Sequence, residues 1–375
     1  MGKGSRVSLR SRPLLVVLAF GLVGCTTSSP SPALPSAQSP GASTGASTPS
    51  AVPTSPAPTA SPGPSGLPDY GGEAIPWPRR SRTAPPPALG AVLTLARVSR
   101  SDGGTLAAGL TLPRIGGTSA APVVLTPCGA RTAISGRLTA IAPSTSRDVL
   151  VVVDPGHGGR AQGTHAPDGT AEKDVVLDLS RRVARALRGH VDRVVLTRDR
   201  DLEATLPFRV ALADALRADL ALSVHLNAAP ETTRPTPGTS TYASVADPAG
   251  RRAAGVLYAG VRHYLERWTP EVGRWAANRD SGALYRLGRD GRDYYGLLRR
   301  AHVTWVIVES AYLSAPREAA LLARTEVRAG LARAIADSAV AVIDRSTPGS
   351  GWRRPLPRPA DPPAPPLAGR CVDPS

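Results

Sequence analysis

Between residues 148 and 345, short runs of β-branched and aliphatic residues alternate with segments that carry apolar residues at helical spacing. The run Val151–Val153 consists only of β-branched residues, which is typical of a buried strand. The predicted strands are Val149–Val153, Arg193–Thr197, Leu220–Leu226, Thr239–Ala243 and Thr304–Val308. The predicted helices are Glu172–Arg188, Pro207–Arg217, Ala249–Arg267, Tyr294–Arg300 and Pro316–Asp344. This alternation predicts an α/β domain with a single twisted sheet, mostly parallel or mixed, flanked by helices.

Two further regions adjoin this domain. Residues 70–147 contain strand-like runs at Ala91–Val98 and Pro122–Thr126, separated by Gly- and Pro-rich turns, and predict a small β-rich module. We find no residues in this module that suggest catalysis or metal binding. A role in packing is therefore favoured over a role in binding the cell wall. Residues 346–375 form a Pro-rich tail that we expect to be irregular. Residues 244–294 predict one amphipathic helix and a loop.

The first 25 residues are typical of a secretory signal. Three arginines precede an apolar run over residues 14–23, which is too short to be a comfortable membrane span. The run ends in Leu-Val-Gly-Cys, and this Leu-x-Gly-Cys ending resembles a bacterial lipobox with Cys25 as the lipidated residue. The resemblance implies an exported protein that is lipid-anchored to the outer face of the cell membrane and faces the cell wall. The alternative is an ordinary signal peptide that contains a cysteine.

Residues 26–69 consist almost entirely of Ser, Pro, Ala, Thr and Gly. Such a segment buries too little apolar surface to offset the entropy lost on ordering. We therefore predict a disordered linker between the lipid anchor and the folded domain.

The formal net charge is +16. This positive charge favours an anionic polymer as a binding partner. An Arg-rich coding bias explains the charge equally well. No dense basic run interleaves with aromatic residues, and a secretory signal is present, so a nucleic-acid role is not expected. Besides Cys25, the chain has Cys128 and Cys371. In an exported protein these two could form a disulfide, with two free thiols as the alternative.

Residues with metal-ligand or acid/base chemistry lie where the predicted strands end. His157 follows the first strand in a Pro- and Gly-rich turn, His225 lies near the end of the third, and Glu309 follows the last. The carboxyl ends of parallel strands meet along one edge of a sheet, so these residues should converge. Glu172 begins the helix after the His157 turn, and the Gly-rich link can fold it back over the strand end.

Two histidines and a carboxylate form a common zinc set with a fourth position left for water. His157, Glu172 and His225 fit that set, and Glu309 fits a carboxylate that takes the water proton and passes it to a leaving amine. Plain alternatives remain for each residue taken alone. Glu172 could do no more than stabilise the start of its helix through the helix dipole. His225 could be a buried histidine with its hydrogen bonds satisfied, and Glu309 could pair with an arginine such as Arg299 or Arg300.

Five segments in order resemble the zinc-dependent N-acetylmuramoyl-L-alanine amidases of the cell-wall hydrolase type (amidase type 3). They are Asp154-Pro-Gly-His-Gly-Gly159, Glu172-Lys-Asp174, Leu196-Thr-Arg-Asp199 with the later Arg209, Ser223-Val-His-Leu-Asn-Ala228, and Val308-Glu-Ser-Ala-Tyr-Leu-Ser314. The resemblance covers about residues 149–343 and implies a phosphorylase/hydrolase-like zinc amidase fold. It implies one Zn²⁺ held by His157, Glu172 and His225, with Glu309 as the catalytic carboxylate.

The resemblance also implies the substrate and leaves several roles open. The expected reaction is hydrolysis of the amide between N-acetylmuramic acid and L-alanine of the stem peptide in peptidoglycan. Asn227 could contact substrate or support the site. The chain has Ala315 where the family often has Asn, and His165 and Asp168 lie in the link before Glu172 but are expected to be solvated loop residues.

Two alternative functions stay open on the sequence alone. One is an inactive wall-binding or regulatory homologue, and the other is a zinc peptidase that cuts within the stem peptide. The sequence does not identify an activator protein, a stem-peptide preference or an oligomeric state.

Overall fold

A small barrel closed by four strands, with a fifth short strand paired to one of them, and a mixed sheet flanked by helices form the part of the protein that the computed structural model describes. It describes residues 92–101, 105–145, 148–228, 237–275, 281–344, 355–357, 367 and 369–375. The predicted signal, Cys25 and the predicted linker over residues 26–69 lie outside the described residues. None of the described helices combines the length and the apolar character needed to cross a membrane.

The β-rich region folds as a small barrel in the order β2-β1-β3-β4-β5, closed by pairing of β1 with β5. Closure removes exposed strand edges, which suits a short, Gly-rich stretch of chain. The barrel strands are β1 (Val92–Arg100), β2 (Thr105–Leu106), β3 (Thr111–Gly117), β4 (Pro122–Leu125) and β5 (Arg131–Ile141).

The second sheet is mixed and has the order β12-β10-β9-β11-β8-β6-β7 among the described residues. All of its pairings are parallel except that of β11 with β9. Its strands are β6 (Leu150–Pro155), β7 (Arg193–Leu196), β8 (Leu220–Asn227), β9 (Ser240–Ala243), β10 (Gly282–Leu287), β11 (Trp305–Tyr312) and β12 (Pro355–Pro357). The predicted mixed sheet with flanking helices is therefore present.

Helices cover both faces of this sheet. They are α1 (Glu172–Leu187), α2 (Leu206–Leu216), α3 (Pro248–Glu266), α4 (Thr269–Val272), α5 (Gly296–Arg300), α6 (Pro316–Ala323) and α7 (Thr325–Ile343). Helices α1, α3 and α7 pack together in one apolar cluster with alternate residues of the central strands. Helices α2 and α5 pack with the barrel against the opposite face in a second cluster.

Three predictions about local structure were wrong. The segment 244–294 contains β10 as well as a helix and loops, because β10 gains a parallel partner in β9. The tail contributes β12, which pairs with β10. The helix predicted over Pro316–Asp344 is two helices, because Arg324 adopts an extended backbone (φ −79°, ψ 127°) between α6 and α7.

Candidate metal centre

His157 lies in the turn that follows β6 and has a left-handed backbone conformation, with φ +56°. Two buried arginines hold this turn by its carbonyl oxygens. Arg198 donates to the Pro155 carbonyl (3.1 Å) and the Gly156 carbonyl (2.7 Å). Arg209 donates to the Pro155 carbonyl (2.6 Å) and to that of His157 itself. The conformation that presents the imidazole is thus fixed from beneath by two guanidinium groups.

Glu172 is the first residue of α1 and is only 3% exposed. The Gly-rich link folds α1 back toward the strand ends, with the Glu172 amide donating to the Thr164 carbonyl at 2.8 Å. Backbone amides also orient the carboxylate, since Thr164 donates to Oε2 (3.0 Å) and Leu226 donates to Oε1 (2.9 Å). Such outer contacts are what fix the direction of a carboxylate that binds a metal.

The structure brings His157, Glu172 and His225 together. Glu172 Oε2 lies 3.0 Å from His157 Nε2, and Oε1 lies 3.1 Å from His225 Nδ1. The imidazole centroids are 4.9 Å apart, with the ring planes at 76°. One potential ligand atom from each residue lies within 4.8 Å of the other two. Two imidazole nitrogens and one carboxylate oxygen at this spacing are suited to a single transition-metal ion.

Two glycines make this approach sterically feasible. A Cβ on Gly156 would overlap the His225 imidazole. A Cβ on Gly163 would overlap the Glu172 carboxylate and lie 2.8 Å from His157 Cδ2, and Gly163 also has φ +73°. Any side chain at these two positions would push the three ligand groups apart.

Mutual hydrogen bonding sets the charge states of the cluster. Burial would raise the pKa of Glu172, but its bonds to both histidines outweigh burial and hold the pKa far below the usual range. Burial lowers the pKa of His157, against the opposing bond to Glu172. Burial also favours neutral His225, but Glu172 and the nearby Glu309 charge raise its pKa. The carboxylate is therefore ionised, as a metal ligand must be.

Glu309 lies within β11, in parallel register with His225 on β8. It is not at the strand end, because β11 continues to Tyr312 past a register shift. Burial is the main reason that the pKa of Glu309 rises to about 7. Among the described residues, its buried Oε2 has no hydrogen-bond partner. Arg299 bonds instead to Asp293 and Asp290, so it is not a partner of Glu309.

A buried network under the turn was not predicted from the sequence. Asp154, 1% exposed, accepts hydrogen bonds from Thr197, Arg209 and Ser223. The available signal was Asp154 itself, a carboxylate at the end of an apolar strand. A charge buried there needs a charged partner, which predicts a network of this kind. The network links β6, β7, β8 and α2 directly below the His157 turn.

A cavity of about 270 Å³ adjoins the cluster. His157 and His225 line it on one side and Leu206, Tyr295 and Leu297 line it on another. The cavity therefore gives a substrate group space next to the candidate metal ligands, between the sheet and helices α2 and α5.

The remaining sequence candidates lie outside the cluster. Asn227 Nδ2 donates to Ser240 Oγ at 3.3 Å, and its carbonyl accepts from Leu313, which favours the supporting role. His165 and Asp168 are exposed in the link before α1. The Asp168 carboxylate accepts from the Thr170 amide at 2.9 Å.

Cys128 and Cys371 form a disulfide in the structure. It joins the barrel to the chain terminus across 243 residues. The neighbouring Asp373 carboxylate accepts from the Cys128 amide at 2.9 Å, and the Pro374 carbonyl accepts from Ala107 at 2.9 Å. The last residues of the chain are thus attached to the barrel by covalent and polar contacts.

The chain is similar to a known protein family and to curated proteins. A family profile described as Amidase_3, N-acetylmuramoyl-L-alanine amidase, matches residues 151–341. The N-acetylmuramoyl-L-alanine amidase AmiC of Neisseria meningitidis is 30% identical over 227 residues, which cover 53% of this chain and 54% of that protein. AmiC of Escherichia coli is 39% identical over 98 residues, which cover 26% of this chain and 23% of that protein. The chain spans about half or less of the length of these curated relatives.

The chain is also similar to a solved structure. The N-acetylmuramoyl-L-alanine amidase AmiC2 of Nostoc punctiforme is 28% identical, with a TM-score of 0.44. The match covers 52% of this chain and 97% of that one.

Proposed function

This chain belongs to the N-acetylmuramoyl-L-alanine amidase family, and we propose that it hydrolyses the amide between N-acetylmuramic acid and L-alanine of the stem peptide in peptidoglycan. The observation that carries the proposal is the convergence of His157, Glu172 and His225 within 4.8 Å. The buried Glu309 lies in register beside His225 on the next strand. Ligands for one ion and a separate carboxylate are what amide hydrolysis of this type requires.

Zinc is the ion that this donor set fits best. Two imidazole nitrogens and one carboxylate oxygen are a frequent catalytic zinc set, and the clearance left by Gly156 and Gly163 allows the three groups to meet. His157, Glu172 and His225 would hold the ion. When bound, zinc would acidify a water molecule and polarise the scissile carbonyl.

Glu309 would carry the proton. Its pKa of about 7 lets the carboxyl exist in both forms near neutral pH, which is the condition for efficient proton transfer. As a base it would accept the proton of the attacking water at Oε2. As an acid it would then deliver that proton to the amine of L-alanine as the amide bond breaks.

The supporting residues would keep these groups in place. Arg198 and Arg209 fix the carbonyls of the His157 turn, and the Thr164 and Leu226 amides fix the Glu172 carboxylate. Preorganised groups of this kind lower the reorganisation that the reaction would otherwise require.

The experiment is to incubate the zinc-loaded protein with purified peptidoglycan and to identify the products by mass spectrometry. Free stem peptides with an L-alanine amino terminus support the amidase. Shortened stems that remain on the sugar would indicate a peptidase, and the absence of products would indicate a binding or regulatory protein. His225→Ala should lose both metal and activity, whereas the matched control His165→Ala should keep both.

We also propose that the protein acts at the cell wall from a lipid anchor. The support is the sequence of residues 1–25, with Cys25 at the end of the apolar run. The mass of the mature amino-terminal peptide tests the idea. A lipid adduct on Cys25 is expected, and export without lipid would contradict the anchor.

A further inference from the structure

The strand that carries Glu309 contains a bulge directly after this residue. β11 pairs in parallel with β8 so that Glu309 lies opposite His225, and the next pair in register is Tyr312 opposite Asn227. Three steps along β11 therefore match two steps along β8, which leaves one extra residue in β11. Bulges of this kind re-aim side chains and are frequent beside active sites.

The bulge changes the face of the sheet on which the side chains of β11 lie. Side chains alternate along a regular strand, so Ala311 and Leu313 would lie with Glu309 on the face that bears the metal cluster. Both residues instead pack in the apolar cluster of α1, α3 and α7, to which Val306 and Val308 also belong. A shift of one residue reverses the faces in this way. The bulge therefore allows Glu309 to face the site while the strand beyond it returns to the helical core.

Glu318 binds the bulge from the helix that follows. It is the third residue of α6 and is only 1% exposed. Its Oε2 accepts from the Tyr312 amide at 2.9 Å, and its carboxyl also accepts from the Gly238 amide. A glutamate in a first turn usually stabilises its own helix. This carboxyl instead binds an amide that lies before the N-cap Ala315 and another in the segment before β9.

The Glu318 carboxyl acts as an uncharged acceptor near neutral pH. Its other oxygen, Oε1, is buried and has no hydrogen-bond partner within the part of the chain that the structure describes. Burial raises the pKa of Glu318 to about 8, against the opposing effect of the two amides. The carboxamide of glutamine can therefore take the place of this carboxyl.

The contact with Glu318 lies between two others on the same stretch of β11. The Thr239 hydroxyl donates to the Ser310 carbonyl at 2.8 Å. The Leu313 amide donates to the Asn227 carbonyl at 3.1 Å. The Tyr312 amide is thus held by a side chain at the point where β11 resumes its pairing with β8.

We propose that Glu318 is a positioning residue for Glu309, because by binding the Tyr312 and Gly238 amides it maintains the bulge that directs the Glu309 carboxyl to the metal cluster. This inference rests on the proposed amidase function, in which Glu309 carries the proton. Without the acceptor, β11 would relax toward a regular register and the Glu309 carboxyl would move relative to His225. Displacement of a reacting group by about 1 Å can lower the rate by about 100-fold.

The test measures kcat, KM and zinc content of purified Glu318 variants acting on soluble peptidoglycan strands. Glu318→Met keeps the length of the side chain but removes the acceptor. It should lower kcat by about 10- to 100-fold, with KM within about twofold of wild type and the zinc content unchanged. Glu318→Gln keeps an oxygen acceptor and should retain kcat within about threefold of wild type. Glu318→Asp withdraws the acceptor by one methylene and should fall between these two, which gives the trend even if Glu318→Met folds poorly.

Two further measurements separate positioning from stability. Leu322→Ala is the matched control, because Leu322 lies on the same helix, is also 1% exposed and packs in the apolar cluster of α1, α3 and α7. This variant should be less stable but should keep the kcat of wild type in the folded protein. Hydrogen exchange of the Tyr312 amide needs no activity. It should be at least about tenfold faster in Glu318→Met than in wild type or Glu318→Gln.

The outcomes distinguish this inference from the proposed function. Equal losses of kcat in Glu318→Met and Leu322→Ala would mean that Glu318 contributes only to stability and would overturn the inference. Loss of zinc in Glu318→Met, a Glu318→Gln variant as slow as Glu318→Met, or unchanged exchange of the Tyr312 amide would overturn it as well. A wild-type protein that releases no stem peptides would instead refute the proposed function, and the exchange rates would still decide whether Glu318 holds the bulge.

Discussion

Arg209 should be the residue outside the ligand set on which the metal centre depends most. It is 6% exposed and donates to the Ala204, Pro155 and His157 carbonyls and to the Asp154 carboxylate. Arg209→Met preserves the length of the side chain but removes its donors. The Asp154 carboxylate would then be buried without its cationic partner.

The magnitude follows from the burial of both partners. Removing one side of a buried ion pair costs about 3–5 kcal/mol, because the remaining charge is uncompensated. This is a large part of the 5–15 kcal/mol by which a domain is typically stable. The freed carbonyl of His157 would also loosen the ligand. We therefore expect zinc affinity to fall by about 10- to 100-fold, as for other outer contacts of metal ligands.

Denaturant unfolding of purified protein measures the first effect, and competition with a chromophoric chelator measures the second. Arg193→Met is the matched control, because Arg193 also pairs with an aspartate, Asp148, but both side chains are about a quarter exposed. A pair exposed to this extent should contribute less than about 1 kcal/mol. Adding Asp154→Asn to Arg209→Met removes the buried charge. The double variant should regain about 1–3 kcal/mol of stability without regaining zinc affinity.

Two results would refute this reasoning. If Arg209→Met lost no more stability than Arg193→Met, the buried ion pair would not be a major stabilising contact. If Arg209→Met lost stability but bound zinc as tightly as wild type, the carbonyl contacts would not position His157.

Three other substitutions have distinct expected effects. Glu309→Gln should retain zinc but lower kcat by at least about 10³-fold, because the substitution removes the group that carries the proton. Metal analysis measures the zinc content, and loss of zinc in this variant would show that Glu309 is a ligand. Burial raises the pKa of Glu318 to about 8. Between about pH 4.5 and this value the folded protein therefore keeps a proton that the unfolded chain has released. The unfolding free energy should fall as the pH rises through this range. Glu318→Gln should flatten that slope in unfolding experiments, whereas exposed Glu326→Gln should leave it unchanged. Cys371→Ser should lower the unfolding free energy by about 2–5 kcal/mol under oxidising conditions, and an equal loss on reduction of wild type but not of the variant would confirm the disulfide as the cause.

The sequence was sufficient for the elements with strong local signals. The apolar runs of β6, β8 and β11 are strands within a few residues of the predicted bounds. The strand β10 was missed, because Gly282–Leu287 owes its conformation to pairing with β9 and β12. The break at Arg324 was missed, because the chain has neither Gly nor Pro there. Contacts of Arg324 with the Trp268 ring (4.5 Å) and Glu271 (2.8 Å) accompany the break instead.

Some residues of the candidate site could likewise be predicted from the sequence, and others could not. His157, Glu172 and His225 could be found because each lies at a strand or helix boundary where topology forces convergence. Arg209 and Asp154 are far apart in the chain, and their pairing depends on how α2 packs on β6.

The barrel packs against the same face of the sheet that bears the candidate metal site. Side chains alternate along β8, so Leu222 and Val224 join the helical cluster of α1, α3 and α7. Ala221, Ser223 and His225 point to the other face. There Ala221 packs in the apolar cluster that includes barrel residues, whereas Ser223 bonds to Asp154 and His225 to Glu172. The barrel therefore covers the start of the strands on the face whose carboxyl end bears the chemistry. That face cannot be apolar throughout, and the barrel and α2 supply the packing that the polar residues of the site cannot.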